Sequence, residues 1–226
     1  MANRVRKYKD HYQVLICGTN MYDTVGELMG NWTDDKLRNY HIEEFSNEED
    51  ALAEAYNYPD IAWDSIVAYH KEVFMHLYKI IKSELDDNDF IVDFEPKMMS
   101  ADQLKDTMFD RILQFGERFS LTYNLNDVIG FHIVNPWGKN LREIYRVLKA
   151  NKRLRITRYE QKSGIIRMIG ETDAGGMYEI VLWPTLIANW ARWVERHPEI
   201  PSKTKDAAFR DIVRAQQQIE KTVNIR

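Results

Sequence analysis

The chain has 226 residues and a formal net charge of −4, and 44% of its residues are hydrophobic and 12% aromatic. This composition excludes an intrinsically disordered chain, and the acidic balance excludes a protein that coats nucleic acid through a general positive field. The single cysteine, Cys17, excludes an internal disulfide framework and predicts a cytoplasmic protein. No signal peptide and no apolar run of transmembrane length is visible, so we expect no membrane association.

The N-terminal residues 1–60 are predicted to form a mostly helical extension. Ser46 and Glu49 have the spacing of a capping box, which predicts a helix over residues 48–56. The apolar run over residues 12–17 is compatible with a strand or with the first turn of a helix, because so short a run has no diagnostic period.

The middle of the chain alternates between helix and strand patterns. An apolar stripe predicts a long amphipathic helix over residues 61–85. A strand over residues 90–94 is predicted to stop at Pro96, and a capping box that starts at Ser100 predicts a helix over residues 101–119. This alternation is typical of a sheet with helices packed on it.

The stretch 127–134 is almost continuously apolar and β-branched, which is typical of a central strand covered on both faces. A short amphipathic helix is predicted after it, over residues 141–148. From residue 153 the apolar positions recur with period two, which predicts a hairpin and then a strand over residues 178–183. Two helices are predicted to end the chain, and the last covers residues 202–222.

No internal repeat and no low-complexity linker interrupts these patterns. We therefore predict an α/β (α+β) fold in which a mixed sheet of about five strands is flanked by helices. The predicted core domain covers residues 61–197. It lies between the N-terminal extension, residues 1–60, and a C-terminal helix packed on the core, residues 198–226.

Two acidic residues stand in predicted strands where a carboxylate is costly to bury alone. Asp127 lies at the start of the predicted central strand, and Glu179 lies in the strand over residues 178–183. If these strands are neighbours, the two carboxylates converge and repel each other unless a divalent cation lies between them. Mg²⁺ is commonly bound by one or two carboxylates and by substrate phosphates, so the pair predicts phosphoryl- or nucleotidyl-transfer chemistry. The alternative is two unrelated acids.

Three short blocks carry a resemblance to a known family. They are Glu95-Pro96-Lys97 with Lys105 eight residues after Lys97, Asp127-Val128-Ile129-Gly130-Phe131-His132, and Glu179-Ile180-Val181-Leu182 followed by Trp190-Ala191. By the order and spacing of these blocks, residues 61–195 resemble the synthetase domain of the RelA/SpoT family. The matching family patterns are Arg-x-Lys with a second lysine, Asp-x-x-Gly-x-Arg, and Glu-Ile-Gln-Leu before a Trp-Ala helix.

The resemblance implies a nucleotidyltransferase fold that moves pyrophosphate from ATP to a nucleotide hydroxyl, as alarmone synthetases do. It also implies roles for individual residues. The nucleotide-binding residues would be Lys97, Lys105, His132 and Arg167. Catalysis, and the binding of Mg²⁺ together with ATP, would depend on Asp127 and Glu179.

The chain departs from the family patterns at three places. Glu95 and His132 each stand where the family has an arginine, and neither side chain supplies the bidentate contact of a guanidinium. The acceptor loop of the family carries Gly-Tyr-Arg/Gln-Ser-Leu-His, with a tyrosine that stacks on guanine. The corresponding stretch here is Gly164-Ile165-Ile166-Arg167-Met168-Ile169, which has no tyrosine.

Three hypotheses therefore stay open. The first is a divergent RelA/SpoT-like transferase that passes a pyrophosphoryl or nucleotidyl group from ATP to a hydroxyl of an unidentified nucleotide or RNA acceptor. The second is a catalytically inactive pseudoenzyme that serves as a nucleotide-sensing or protein-binding module, and the third is an interaction protein unrelated to the family.

The expected partner is a nucleotide, with RNA and a protein open as further partners. One group of arginines fits either a basic face for phosphate or RNA or an ordinary solvated surface: Arg153, Arg155, Arg158 and Arg167. Trp183, Trp190 and Trp193 likewise fit either packing between a helix and the sheet or a platform for base stacking.

Overall fold

The structure, a computed structural model, describes residues 4–16, 40–58, 60–61, 63–119, 124–125, 127–135, 141–173 and 176–224. Cys17 lies outside these residues. The strands of the described residues are β1 (Val5–Tyr8), β2 (His11–Ile16), β3 (His41–Phe45), β4 (Asp93–Met98), β5 (Ile129–Asn135), β6 (Ile156–Lys162), β7 (Ile165–Glu171) and β8 (Met177–Pro184). The α-helices are α1 (Glu48–Ala55), α2 (Trp63–Asp87), α3 (Ala101–Phe115), α4 (Leu141–Ala150), α5 (Thr185–Arg196) and α6 (Ser202–Asn224).

The chain divides into two compact units. The first unit comprises Met1–Phe74, Met98–Ile129 and Thr172–Tyr178, and the second comprises Met75–Lys97, Gly130–Glu171 and Glu179–Arg226. The domain boundaries predicted at residues 60 and 197 stay predictions.

The first unit contains a three-stranded sheet in the order β1-β2-β3, with both pairs antiparallel. One side of this sheet packs on α1, where Ala51 and Ala55 join Val5, Val14 and Ile16 in an apolar cluster. A second cluster forms around α3, whose Leu104, Met108 and Ile112 recur at four-residue spacing and are buried. Such spacing places these side chains on one face of the helix.

The prediction that residues 1–60 are mostly helical is wrong for the residues described there. They carry three strands and a single helix, because the short apolar run of β2 is decided by pairing with β1 and β3 and not by local period. The cap of α1 is also displaced by one position. The Asn47 side chain, and not that of Ser46, accepts a hydrogen bond from the Asp50 backbone N–H at 2.9 Å, and both residue types are good N-caps.

The predicted mixed sheet of five strands flanked by helices is confirmed. Its order is β4-β5-β8-β7-β6, with β5 parallel to β8 and β6 antiparallel to β7. The central strands β5 and β8 are buried along almost their whole length, as expected for strands that are covered on both faces. The capping box of α3 is also confirmed, since the Ser100 hydroxyl accepts from the Gln103 N–H and the Gln103 side chain accepts from the Ser100 N–H.

Two strand boundaries differ from the prediction. β4 begins at Asp93 and continues through Pro96 instead of stopping there. β4 is an outer strand of the sheet, and an outer strand tolerates a residue that has no backbone N–H to donate. β5 begins at Ile129, so Asp127 lies in the turn that precedes the strand.

The helices of the described residues include no membrane span. None of these helices combines the length and the hydropathy that a bilayer crossing needs.

Candidate functional site

An open pocket lies in the second unit, on one face of the sheet where α5 packs. Two of its side chains come from β4, where Glu95 and Lys97 stand two positions apart and therefore share a face of the strand. β5 contributes His132 and Val134 by the same alternation, and Val134 is paired in register with Trp183 of β8. The pocket is thus lined by side chains from three neighbouring strands, β4, β5 and β8.

The helix α5 supplies the other side of the pocket. Its lining residues recur at helical spacing and are Ala188, Ala191, Arg192 and Glu195. The alanines leave space between the helix and the sheet, whereas Arg192 extends to the Glu95 carboxylate of β4 and forms an ion pair with it. Both side chains of this pair remain about one third exposed, so the pair is accessible to a charged ligand.

The charges in the pocket balance at neutral pH. Lys97 and Arg192 are cationic, and Glu95 and Glu195 are anionic. The fifth titratable side chain, His132, is neutral because burial lowers its pKa to about 4, and the nearby Lys97 ammonium strengthens this effect. The imidazole therefore serves as a neutral hydrogen-bonding group at pH 7.

The low pKa of His132 predicts a pH-dependent stability. The unfolded chain protonates this imidazole near its ordinary pKa of 6.5, whereas the folded protein does so only near 4. Between these values the unfolded state binds more protons, so stability should fall as the pH falls through this window. Chemical unfolding at a series of pH values should show this loss, and it should be smaller in a His132→Asn variant.

A second histidine requires a control for that measurement. His70 is buried in the first unit, and its pKa is also lowered by burial. The comparison of wild type with His132→Asn cancels this contribution, since His70 is present in both proteins. An NMR titration of the His132 ring with a midpoint near 6.5 would contradict the interpretation.

The tryptophans near the pocket differ in their surroundings. The Trp183 ring lies 5.7 Å from the His132 ring, and its buried indole N–H has no hydrogen-bond acceptor among the described residues. The Trp190 ring lies 4.5 Å from the Phe209 ring of α6. Trp190 therefore packs between α5 and α6, whereas Trp183 is one of the residues that line the pocket. The buried indole N–H of Trp190, like that of Trp183, has no hydrogen-bond acceptor among the described residues.

Glu179 and Arg167 are brought together on adjacent strands of the second unit. The Arg167 Nε donates to the Glu179 Oε2 at 2.5 Å, and its Nη2 contacts the same oxygen. The Glu179 side chain is only 10% exposed, whereas that of Arg167 is 42% exposed. The Glu179 carboxylate is thus neutralised by an arginine, and a metal ion would have to compete with this guanidinium for Oε2.

Asp127 lies in the first unit, in the turn before β5. Its Oδ2 is 3.6 Å from the Arg111 Nη2, and both side chains are about one third exposed. Its Oδ1 is buried and has no hydrogen-bond partner among the described residues. A carboxylate oxygen without a donor suits a hard cation such as Mg²⁺, so the donor chemistry of Asp127 fits the predicted metal.

The predicted pairing of Asp127 with Glu179 joins residues of different units and stays a prediction. Within the part of the chain that the structure describes, no three His, Cys, Asp or Glu side chains form a group able to hold a metal ion. Mg²⁺ bound with ATP does not need such a group, since phosphate oxygens and water complete its coordination.

Lys105 lies on α3 in the first unit, and its ammonium donates to the Val5 backbone carbonyl at 2.7 Å. Burial lowers the pKa of Lys105. One of its three donors is therefore used within the fold, and its predicted contact with phosphate stays a prediction.

The structure brings two pairs of predicted residues together, Lys97 with His132 and Arg167 with Glu179. Sequence reasoning missed Arg192 as a pocket residue. The only signal was its position directly after Trp190-Ala191, and no local pattern indicates that it pairs with Glu95, 97 positions earlier.

No protein-family model matches the chain, and no curated protein matches its sequence. Solved structures do match. A GTP pyrophosphokinase family protein from Streptococcus pneumoniae aligns over 72% of this chain and 91% of its own, at 14% identity and a TM-score of 0.50.

The small alarmone synthetase 1 from Bacillus subtilis aligns over 72% of this chain and 94% of its own, at 14% identity. The TM-score is 0.52 for the structure bound to its product pppGpp and 0.54 for a second structure of the same protein. At this identity the likeness shows the fold.

Proposed function

Because the chain has the RelA/SpoT-like fold of alarmone synthetases, we propose that it transfers a pyrophosphoryl group from ATP to a hydroxyl of a nucleotide or RNA acceptor. The observation that carries the proposal is the pocket on this sheet, where Lys97, His132 and Arg192 supply hydrogen-bond donors. The Bacillus subtilis protein is bound to pppGpp, which supports a nucleotide as the ligand here.

In the proposed reaction the acceptor hydroxyl oxygen attacks the β-phosphorus of ATP. The bond between this phosphorus and the oxygen that bridges to the α-phosphate breaks, AMP leaves, and the hydroxyl proton passes to a base. Mg²⁺ bound with the ATP would neutralise phosphate charge. Such a reaction depends mainly on positioning and electrostatics.

The pocket residues have distinct roles in the proposal. Lys97 is exposed on β4, and its ammonium binds a phosphate oxygen as a point charge. The neutral His132 donates a hydrogen bond without adding charge. Arg192 binds phosphate through its guanidinium N–H groups. The Glu95 carboxylate competes for this guanidinium, so Glu95 lowers the affinity of the pocket for polyphosphate.

The proposal keeps the sequence-based roles of the other predicted residues. Asp127 is a Mg²⁺ ligand, which the buried and unpartnered Oδ1 supports. Glu179 is the second metal ligand, and Arg167 exchanges its contact with Glu179 for one with the nucleotide. Lys105 is a further nucleotide contact, and variants of Lys105 and Asp127 test two of these roles.

The alternative is a nucleotide-binding module without catalysis. The balanced charge of the pocket favours it, because two cations face two carboxylates where a triphosphate would benefit from positive charge. Glu95, which forms an ion pair with Arg192, stands at the position where the family has an arginine that is available for phosphate.

One assay separates the two functions. The protein is incubated with Mg²⁺, ATP labelled at the γ-phosphate, and a panel of acceptors that includes GDP, GTP, other nucleotides and tRNA. A labelled acceptor formed together with an equal amount of AMP supports the transferase. Saturable ATP binding without AMP supports the binding module, and the absence of ATP binding contradicts both. A reaction without acceptor controls for hydrolysis.

Lys97→Gln is expected to weaken ATP binding about ten- to a hundred-fold, because a hydrogen bond to a charged group contributes roughly 1.5–3 kcal/mol. Isothermal titration calorimetry in the presence of Mg²⁺ measures the change in Kd. Lys203→Gln, an exposed position on α6, makes the same chemical change and is the matched control. Equal affinity for ATP in Lys97→Gln and Lys203→Gln would show that Lys97 does not contribute to the binding site.

Lys105→Gln tests the second predicted lysine by the same titration. If Lys105 contacts phosphate, the Kd of the Lys105→Gln variant for ATP should rise, as it should for Lys97→Gln. If Lys105 only donates to the Val5 carbonyl, the free energy of unfolding should change while the Kd stays at the wild-type value.

A further inference from the structure

The segment that covers α4, β6 and β7 is strongly basic in an acidic protein. Between residues 141 and 171 there are nine Lys and Arg against three Glu, whereas the whole chain has a net charge of −4. This asymmetry is local, and it lies outside the pocket lining. A local excess of positive charge of this size attracts polyanions.

The helix α4 concentrates part of this charge on one face. Its apolar residues Leu141, Ile144 and Leu148 are buried. Arg142, Arg146 and Lys149 are exposed and recur at spacings of four and three, so they form a stripe along the helix. Neither Arg142 nor Arg146 has an ion-pair partner within the described residues, and Glu143 is the one acid of the helix.

Aromatic side chains are interleaved with this stripe. Tyr145 shares the face of Arg142, Arg146 and Lys149 by its spacing, and its ring lies 5.0 Å from that of Tyr159 on β6. The Lys149 ammonium donates to the Tyr145 hydroxyl at 2.9 Å and lies 4.9 Å from the centre of the Tyr159 ring. The hydrogen bond to Tyr145 raises the pKa of Lys149, so this cation stays charged.

The Tyr159 ring is available to a ligand. It is 57% exposed, and it stands on an outer strand whose side chains are almost all exposed. Covering an exposed aromatic ring with an apolar or aromatic surface is favourable, because the ring is then removed from water. An exposed ring beside a row of cations matches two features of a single-stranded nucleic acid, its base faces and its phosphates.

We propose that the surface formed by Arg142, Tyr145, Arg146, Lys149 and Tyr159, the α4–β6 surface, binds single-stranded nucleic acid. The cations contact successive phosphates, and Tyr159 stacks on a base. A duplex offers the phosphates but not the base faces, since its bases are stacked on each other. The proposal is independent of the transfer reaction and concerns a different surface of the second unit.

Fluorescence anisotropy of the full chain with labelled single-stranded RNA of about 12 nucleotides tests the proposal. The double variant Arg142→Glu/Arg146→Glu should weaken binding at least about ten-fold. It should also reduce the slope of log K against log salt by about 1.4, since each phosphate contact contributes about 0.7 for a single strand.

Tyr159→Ala should weaken binding about ten-fold without a change in the salt slope, because stacking involves no counterion release. Tyr159→Phe keeps the ring and should bind like the wild type. Since Tyr159 is exposed, the variants are expected to fold, which circular dichroism checks. Lys149→Gln is the second variant should Tyr159→Ala fail to fold, and it should reduce the slope by about 0.7.

The matched control is Lys203→Glu/Arg210→Glu, which makes the same change of charge at exposed positions on α6. Single-stranded DNA of the same sequence forms a second arm. Tighter binding of RNA than of DNA assigns the surface to RNA, and equal binding assigns it to either strand. The proposal is overturned by equal losses in the control and the α4 variants, by unchanged binding in Tyr159→Ala, by tighter binding of a duplex, or by no binding at low salt.

Discussion

Replacing Asp127 by Asn is expected to lower the rate of ATP-dependent transfer at least about a hundred-fold, since residues that merely support a metal ligand already change activity roughly 10- to 100-fold. Asparagine keeps the shape of the side chain but removes the negative charge. The buried Oδ1 of Asp127, which has no hydrogen-bond donor among the described residues, is the atom proposed to bind Mg²⁺. The labelled-ATP assay measures the rate.

Arg111 provides the control for this variant. The ion pair between Arg111 and Asp127 spans 3.6 Å, and both side chains are about one third exposed, so breaking it should cost about 0–1 kcal/mol. If Asp127 matters only through this pair, Arg111→Gln should reduce activity as much as Asp127→Asn does. A wild-type rate in Arg111→Gln together with the loss in Asp127→Asn would assign the role to the carboxylate itself.

Phe131→Ala is expected to destabilise the second unit by about 3–5 kcal/mol, the usual cost of removing a large aromatic side chain from a core. Phe131 lies in the middle of β5, is fully buried, and stacks on Phe94 of β4 at 6.0 Å. The loss is a large part of the stability of a typical domain. Urea unfolding followed by circular dichroism measures it.

The control for Phe131→Ala is an aromatic residue of similar size on the surface. Tyr56 is 78% exposed, so Tyr56→Ala should change the free energy of unfolding by about 0.5 kcal/mol or less. A change of less than about 1 kcal/mol in Phe131→Ala would mean that β5 is not the central buried strand.

The sheet of the second unit could be predicted because the sequences of its central strands are themselves diagnostic. β5 and β8 are apolar along most of their length, and burial on both faces of the sheet is the arrangement expected of such strands. The strands of the first unit could not be predicted in the same way. β2 is a short run whose conformation is decided by partners on either side, and local period does not record those partners.

The candidate site likewise contains residues that sequence patterns predict and a contact that they do not. Lys97 and His132 were predicted from blocks on different strands, and the sheet brings both to one pocket. The Glu95–Arg192 pair was missed because it depends on how α5 lies against β4. A contact of this kind is set by tertiary packing, and a pattern within a few residues cannot indicate it.

Pro96 has a consequence for how molecules of this protein meet one another. An outer strand with free N–H and C=O groups is a template on which a strand from another molecule can add. Proline has no N–H to offer there. The opposite outer strand, β6, carries the charged residues Arg158, Glu160 and Lys162, and charged side chains on an outer strand oppose the addition of another strand. Both outer strands of the sheet thus carry features that oppose growth into fibrils.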